Sequence, residues 1–183
     1  MIIDLDMIAT CAPDVAPETI VQMIQVESQG DPLALHINDK TQQQQRRAKN
    51  KTEAMSRVQN AINKGYSVDI GLMQINSKTL QRLGHSIDKA FEPCFNVAMG
   101  ASLLKDNYKR ALPRREEQTA LRAALSAYNT GNFQDGINNG YVAKYYPMEM
   151  PVYKTALKNR LSKNPYNTET TTFKRSTNHE YQP

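Results

Sequence analysis

Ile20-Val21-Gln22-Met23-Ile24-Gln25-Val26-Glu27-Ser28-Gln29-Gly30 is the stretch that decides the fold of this chain. Ile20, Met23, Ile24 and Glu27 recur at i, i+3, i+4 and i+7, the spacing of one helix face. Three of the four are apolar, so the face points at a core, yet its last member is a carboxylate. Burial disfavours the charged form of a carboxyl and raises its pKa. A carboxyl that stays protonated near neutral pH can act as a general acid. The helix is predicted over 17–29. Pro17 suits its first turn, and Gly30 followed by Asp31-Pro32 cannot continue it. Glu27 therefore sits on the last turn, where the negative end of the helix dipole also disfavours a second negative charge.

Outward from this helix, most of the chain reads as helical. Residues 33–51 read as irregular, with the polar run Gln42 to Gln45 and then Arg46-Arg47. Thr52 is placed to cap a helix that buries Met55, Val58, Ala61 and Ile62 and stops at Gly65. Between Tyr66 and Ile75, Val68, Ile70, Leu72 and Ile75 with Gly71 predict a short extended segment or hairpin. A short helix follows over 77–83. Pro93 opens a longer one that carries Phe95, Met99 and Leu103 inward. The span 116–128, with its stripe Ala120, Leu121, Ala124, Leu125 and Tyr128, reads as a tightly packed central helix ended by Asn129-Thr130-Gly131. The chain divides into a domain over 9–153 and a flexible polar tail over 154–183, rich in Asn, Thr, Lys and Ser.

A net charge of +5 suits any anionic polymer, whether nucleic acid, anionic membrane or bacterial cell wall. The pairs Arg46-Arg47, Arg114-Arg115 and Lys174-Arg175 are scattered, without stacked aromatics or a nucleic-acid motif, so a solvated surface is the expectation and nucleic acid is not an expected partner. No apolar run approaches the roughly 20 residues of a membrane-spanning helix. No metal, nucleotide or flavin motif is present, so no cofactor or metal is expected. Cys11 and Cys94 have no CxxC or Cys/His pairing; two buried thiols and one disulfide are both open at this point. Met1 to Asp6 lacks the basic and long apolar regions of a signal peptide, so either the chain is cytosolic or a leader has been removed.

Three segments belong together: Glu27-Ser28, Gly71-Leu72-Met73-Gln74-Ile75-Asn76, and Ala127-Tyr128-Asn129-Thr130-Gly131. Gln74 and Asn76, two apart, project to one side of an extended segment and offer paired donors and acceptors for sugar hydroxyls and N-acetyl groups. Asn76 equally stands where the cap of the 77–83 helix belongs. Tyr128 reads as a core residue or as a ligand platform. In this order the segments resemble the soluble lytic transglycosylase domain of the lysozyme superfamily. CAPDVAPETI near the start, VDIGLMQINS, Glu92-Pro93-Cys94, SAYNTGN and Asn139-Gly140-Tyr141-Val142 are similar to the specialised transglycosylases of type IV secretion and conjugation systems, over about residues 9 to 150.

The resemblance implies a mainly α, α+β lysozyme-like fold: a helical domain with a small β-hairpin region and a glycan-binding cleft. It implies peptidoglycan as substrate, type IV secretion components as partners, and cleavage of the MurNAc–GlcNAc β-1,4 bond without water. The family's catalytic acid falls on Glu27 and the serine after it on Ser28. Groove residues fall on Gln74, Asn76, Tyr128 and Asn129, and a tyrosine near the catalytic carboxyl on Tyr141. Members act in the periplasm, where a Cys11–Cys94 disulfide becomes the preferred reading. Asp69, in a segment that also looks like the strand bearing the second acid of animal lysozymes, either serves a true hydrolase or fixes the turn before Gly71.

Overall fold

The computed structural model describes residues 4–39 and 46–146. The expected tail over 154–183, the end of the expected domain and the glutamine run lie outside the described residues. Among the described residues seven helices and three short strands follow one another: α1 (Leu5–Cys11), α2 (Pro17–Ser28), β1 (Leu35–Ile37), α3 (Lys51–Asn63), β2 (Val68–Ile70), β3 (Ile75–Asn76), α4 (Ser77–Arg82), α5 (Pro93–Ala111), α6 (Glu117–Thr130) and α7 (Asp135–Asn138). Short 3-10 turns at Ile87–Phe91, Leu112–Arg114 and Val142–Tyr145 complete it. The strands form one antiparallel sheet in the order β1-β2-β3, with Leu35 opposite Ile70 and Asp69 opposite Asn76. The expected mainly helical α+β architecture is present.

Helix α2 begins at Pro17 and ends at a left-handed Gln29, with Ile20, Met23 and Ile24 buried as its period requires. It belongs to one apolar core shared with Val58 of α3, Leu80 of α4, Leu104 of α5 and Leu125 of α6. α5 and α6 form the most extensive helix pair. Among the described residues no helix is long and apolar enough to cross a membrane.

Several local expectations need correction. The cap of α3 is Asn50, whose side chain accepts from the Glu53 N–H at 2.9 Å, so Thr52 already lies inside the helix. Residues 35–37 form the edge strand β1 where no regular structure is expected: three residues carry no usable period, and only β2 alongside gives them partners. The buried face of α5 is Asn96, Val97, Gly100, Ala101 and Leu104, one residue on from the expected stripe. Phe95, Met99 and Leu103 pack at its margin, only partly buried. Small residues win the centre because they let neighbouring chain approach. A Cβ on Gly100 would lie 2.7 Å from the side chain of Met73, which is itself fully buried.

Asn96 is the polar exception in this core. It is 1 % exposed, and its Nδ2 donates to the carbonyls of Ile70 at 2.9 Å and Ala90 at 2.7 Å. Its Oδ1 accepts from the Met73 N–H at 2.7 Å. The side chain thus holds the turn that starts at Gly71. Gly71 has φ +79°, and any Cβ there would meet Asn96 Nδ2 at 2.5 Å, so both backbone conformation and space demand glycine. Asn96→Ala should cost about 3 kcal/mol, because it leaves buried backbone groups unpaired as well as a small void. The check is the urea midpoint; a loss below about 1 kcal/mol would mean that the turn is held by other contacts.

Candidate active site

A cleft of about 1020 Å3 runs between the sheet and the helices, lined among others by Glu27, Asp69, Gln74, Asn76, Tyr128 and Tyr141. Glu27, on the last turn of α2, is partly buried in its wall. Its pKa is raised from 4.5 to about 7. Burial is the largest cause; the Asp69 charge adds to it, while a hydrogen bond from Tyr141 and the charge of Lys144 act in the opposite direction. The Tyr141 hydroxyl donates to Glu27 Oε1 and also meets the Tyr145 hydroxyl at 2.7 Å. Burial pushes both phenols far above the usual tyrosine range, so they stay protonated donors.

The segment 71–76 is fixed by three side chains from three helices. Ser28 Oγ donates to the Leu72 carbonyl at 2.8 Å and lies 3.1 Å from the Ile24 carbonyl; it also accepts from the Gly30 N–H at 3.2 Å. The Tyr128 hydroxyl donates to the Met73 carbonyl at 2.6 Å, and Asn96 holds Met73 from the other side. Ser28 is 7 % exposed. Both Ser28 and Tyr128 border the cleft, but the polar atom of each is engaged on backbone.

Gln74 does not extend beside Asn76 as a strand residue. It takes a left-handed φ of 48°, and its Nε2 donates to the Ala34 and Gly71 carbonyls at 3.2 and 2.9 Å. A turn spans Gly71 to Gln74, closed by the Gln74 N–H on the Gly71 carbonyl, and a period-two reading across it fails. Asn76 does two jobs. Its Oδ1 caps α4 by accepting from the Lys78 N–H at 3.0 Å, and its Nδ2 donates to Asp69 Oδ1 at 2.6 Å. The other oxygen of Asp69 accepts from Asn38 Nδ2 at 3.0 Å. Asp69 stands in mid-strand β2 rather than in the turn before Gly71, and both its oxygens are held by amides. Asn129 is exposed at the end of α6 and accepts from Asn139 Nδ2 at 3.0 Å.

Asn38, Asn96 and Tyr145 complete this arrangement and were not legible as site residues. Asn96 had one signal, a polar residue in register with Gly100 and Leu104; Asn38 and Tyr145 had none. The structure joins Cys11, at the end of α1, to Cys94, in the first turn of α5, with a Cα–Cα distance of 5.3 Å. Among the described residues no His, Cys, Asp and Glu cluster could hold a metal ion. Arg46 pairs with Glu53, and Arg47 lies 3.3 Å from Asp31 on the same rim.

A helical domain with a small antiparallel sheet, with a carboxyl of raised pKa in the wall of a cleft, fits the lysozyme-like class. Within that class the chain belongs to the transglycosylase SLT domain family, whose model matches residues 5–147. It is 43% identical over 134 residues to "Protein virB1" of Agrobacterium fabrum, covering 73% of this chain and 54% of that protein. It is 38% identical over 128 residues to "Type IV secretion system protein virB1" of Brucella abortus, covering 69% and 53% respectively. The chain thus spans about half the length of the curated relatives it matches. No solved structure gives a significant match.

Proposed function

We propose that this chain is a peptidoglycan lytic transglycosylase that cleaves the MurNAc–GlcNAc β-1,4 bond and leaves 1,6-anhydro-MurNAc ends. One observation carries this reading: a single carboxyl raised to about 7 at the cleft wall, while the neighbouring carboxylate is tied by two amides. At that pKa Glu27 exists in both forms at neutral pH, which suits a group used first as acid and then as base. Protonated, it gives its proton to the glycosidic oxygen as the bond to the anomeric carbon breaks. The MurNAc N-acetyl group stabilises the positive centre. The resulting carboxylate then takes the proton of the sugar's own C6 hydroxyl, whose oxygen attacks the anomeric carbon. The ring closes, Glu27 regains its proton and no water is consumed. This differs from the usual two-carboxylate scheme.

Gln74, Asn76, Tyr128, Asn129 and Tyr141 line the trough in which the strand lies. In our reading Ser28 and Tyr128 shape it by holding its floor, rather than by touching sugar with their hydroxyls. The name of the Brucella relative supports a setting in type IV secretion; in our reading, local wall opening there precedes assembly of a secretion or conjugation apparatus. The Cys11–Cys94 disulfide supports the oxidising periplasm as the place of action.

Digestion of purified sacculi tests this directly. Released muropeptides should carry anhydro ends, lighter than reducing ends by one water. Asp69→Asn should keep turnover within about tenfold, since the carboxylate acts on Glu27 only through its charge, and should lower the Glu27 pKa. Reducing ends together with loss of turnover in Asp69→Asn would instead establish a lysozyme-type muramidase using both carboxyls. Wall opening that survives Glu27→Gln would point to a non-catalytic scaffold.

A further inference from the structure

Tyr145 has no part in the chemistry above, yet its hydroxyl lies one hydrogen bond behind the Tyr141 phenol that meets Glu27. It is 6 % exposed, its ring packs at 5.4 Å from that of Tyr141 with a tilt of 59°, and its hydroxyl oxygen stands 2.7 Å from that of Tyr141. Its own carbonyl accepts from Gln22 Nε2 at 2.8 Å, so the residue is fastened to α2, the helix that carries Glu27. Each phenol has one proton. If Tyr141 gave its proton to Tyr145, the Tyr145 proton would be buried with no acceptor among the described residues, which is costly. Glu27 would then have to carry its own proton on Oε1, spent on the Tyr141 oxygen. The opposite order, Tyr145 to Tyr141 to Oε1, satisfies every donor.

We propose that Tyr145 is a positioning residue: its buried hydroxyl donates to Tyr141 and so commits the Tyr141 proton to Glu27 Oε1, leaving Oε2 to carry the proton exchanged with the sugar. The proposal deepens the transglycosylase reading and rests on it for the identity of the sugar. The direction of the chain stays the same in both forms of Glu27, because a neutral carboxyl protonated on Oε2 still accepts at Oε1. A fixed direction spares the acid and base steps any rearrangement of the wall.

Glu27 is also faced by Asp69 from β2, by Lys144 beside Tyr141, and by Tyr128 from α6, whose hydroxyl is committed to the Met73 carbonyl. None of these changes in the variants that test the proposal. The experiment is a carbon-13 NMR titration of the Glu27 carboxyl in the wild type, Tyr145→Phe, Tyr141→Phe and the double variant, with melting curves as a check on folding. Phe keeps both rings. Donation to a carboxylate lowers its pKa, so Tyr145→Phe should raise the Glu27 midpoint by about half a pH unit, and Tyr141→Phe should raise it further. In the double variant, loss of the Tyr145 hydroxyl should add nothing to loss of Tyr141. A 3-fluorotyrosine at position 145, a stronger donor of the same shape, should move the midpoint the other way even if Phe unsettles the fold. On sacculi, Tyr145→Phe should lower kcat about threefold to tenfold with KM unchanged, and the basic limb of the rate profile should rise with the NMR midpoint. Coincident titrations of the wild type and Tyr145→Phe, or additive shifts in the double variant, would overturn the proposal. The titration needs no turnover, so wild-type protein that leaves sacculi uncut would fail the transglycosylase reading without touching the hydrogen-bond chain.

Discussion

Glu27→Gln should abolish wall cleavage and, at the same time, make the protein more stable at pH 8. Turnover should fall about 1,000-fold or more, because in the mechanism we propose one side chain supplies both the acid and the base and glutamine can do neither. The stability gain follows from the direction of the pKa change. The folded protein holds the Glu27 proton to about 7, whereas an unfolded chain releases it near 4.5. Below 4.5 both states are protonated, and the carboxyl costs folding no more than glutamine would. As pH rises from 4.5 to 7 the unfolded state gains by ionising first, and native stability falls. Above 7 the loss is complete, and partial exposure of the group limits it to about 2–3 kcal/mol. Gln has nothing to ionise, so the two proteins should melt together near pH 4 and separate by about 5–10 °C at pH 8. Parallel melts from pH 4 to 8 and muropeptide release measure the two halves. Equal melting midpoints at pH 8 would show that the carboxyl is solvated, and the acid–base argument would fall with it.

Removal of the disulfide should be the largest stability change. Cys11 and Cys94 are separated by 83 residues, so the cross-link constrains a long stretch of the unfolded chain and is worth about 4–5 kcal/mol on the chain-entropy account. The location adds a structural consequence. α1 contributes only Ile8 fully to the core, and its last residue is the cysteine, so the bond latches this helix onto the start of α5. The variant with both Cys11→Ser and Cys94→Ser should melt about 10–15 °C below the wild type, and reductant should lower the wild type to the same level. Hydrogen exchange in α1 should rise first, before that of α2 or α6. A reduced wild type that melts within about 2 °C of the oxidised form would show that the latch contributes little.

Both predictions concern residues that could be read in the chain, and they were legible for different reasons. Glu27 was visible because helical period is local: three apolar residues fix which face is buried, and the fourth position follows. The helix stop at Gly131 was legible in the same way, since a left-handed residue is a local requirement that glycine meets, whereas α2 already turns left-handed at Gln29, one residue before Gly30. The family motif then linked segments that no local rule connects, and with them the cysteine pairing.

What the chain alone determined is therefore its helical periods, its stops and one carboxyl on the wrong face of a helix. Tertiary structure decided what each remaining polar atom does. Ser28 meets Leu72 across 44 residues, Tyr128 meets Met73 across 55, and Tyr141 meets Glu27 across 114. A serine or tyrosine reads alike whether it binds sugar, caps a loop or relays a hydrogen bond, because its chemistry is the same in all three roles. Only packing, which brings one acceptor and not another within about 3 Å, selects among them. The rotation of α5 had the same cause: size alone ranks Phe95 above Gly100, but close approach of Met73 makes the bare Cα the buried one.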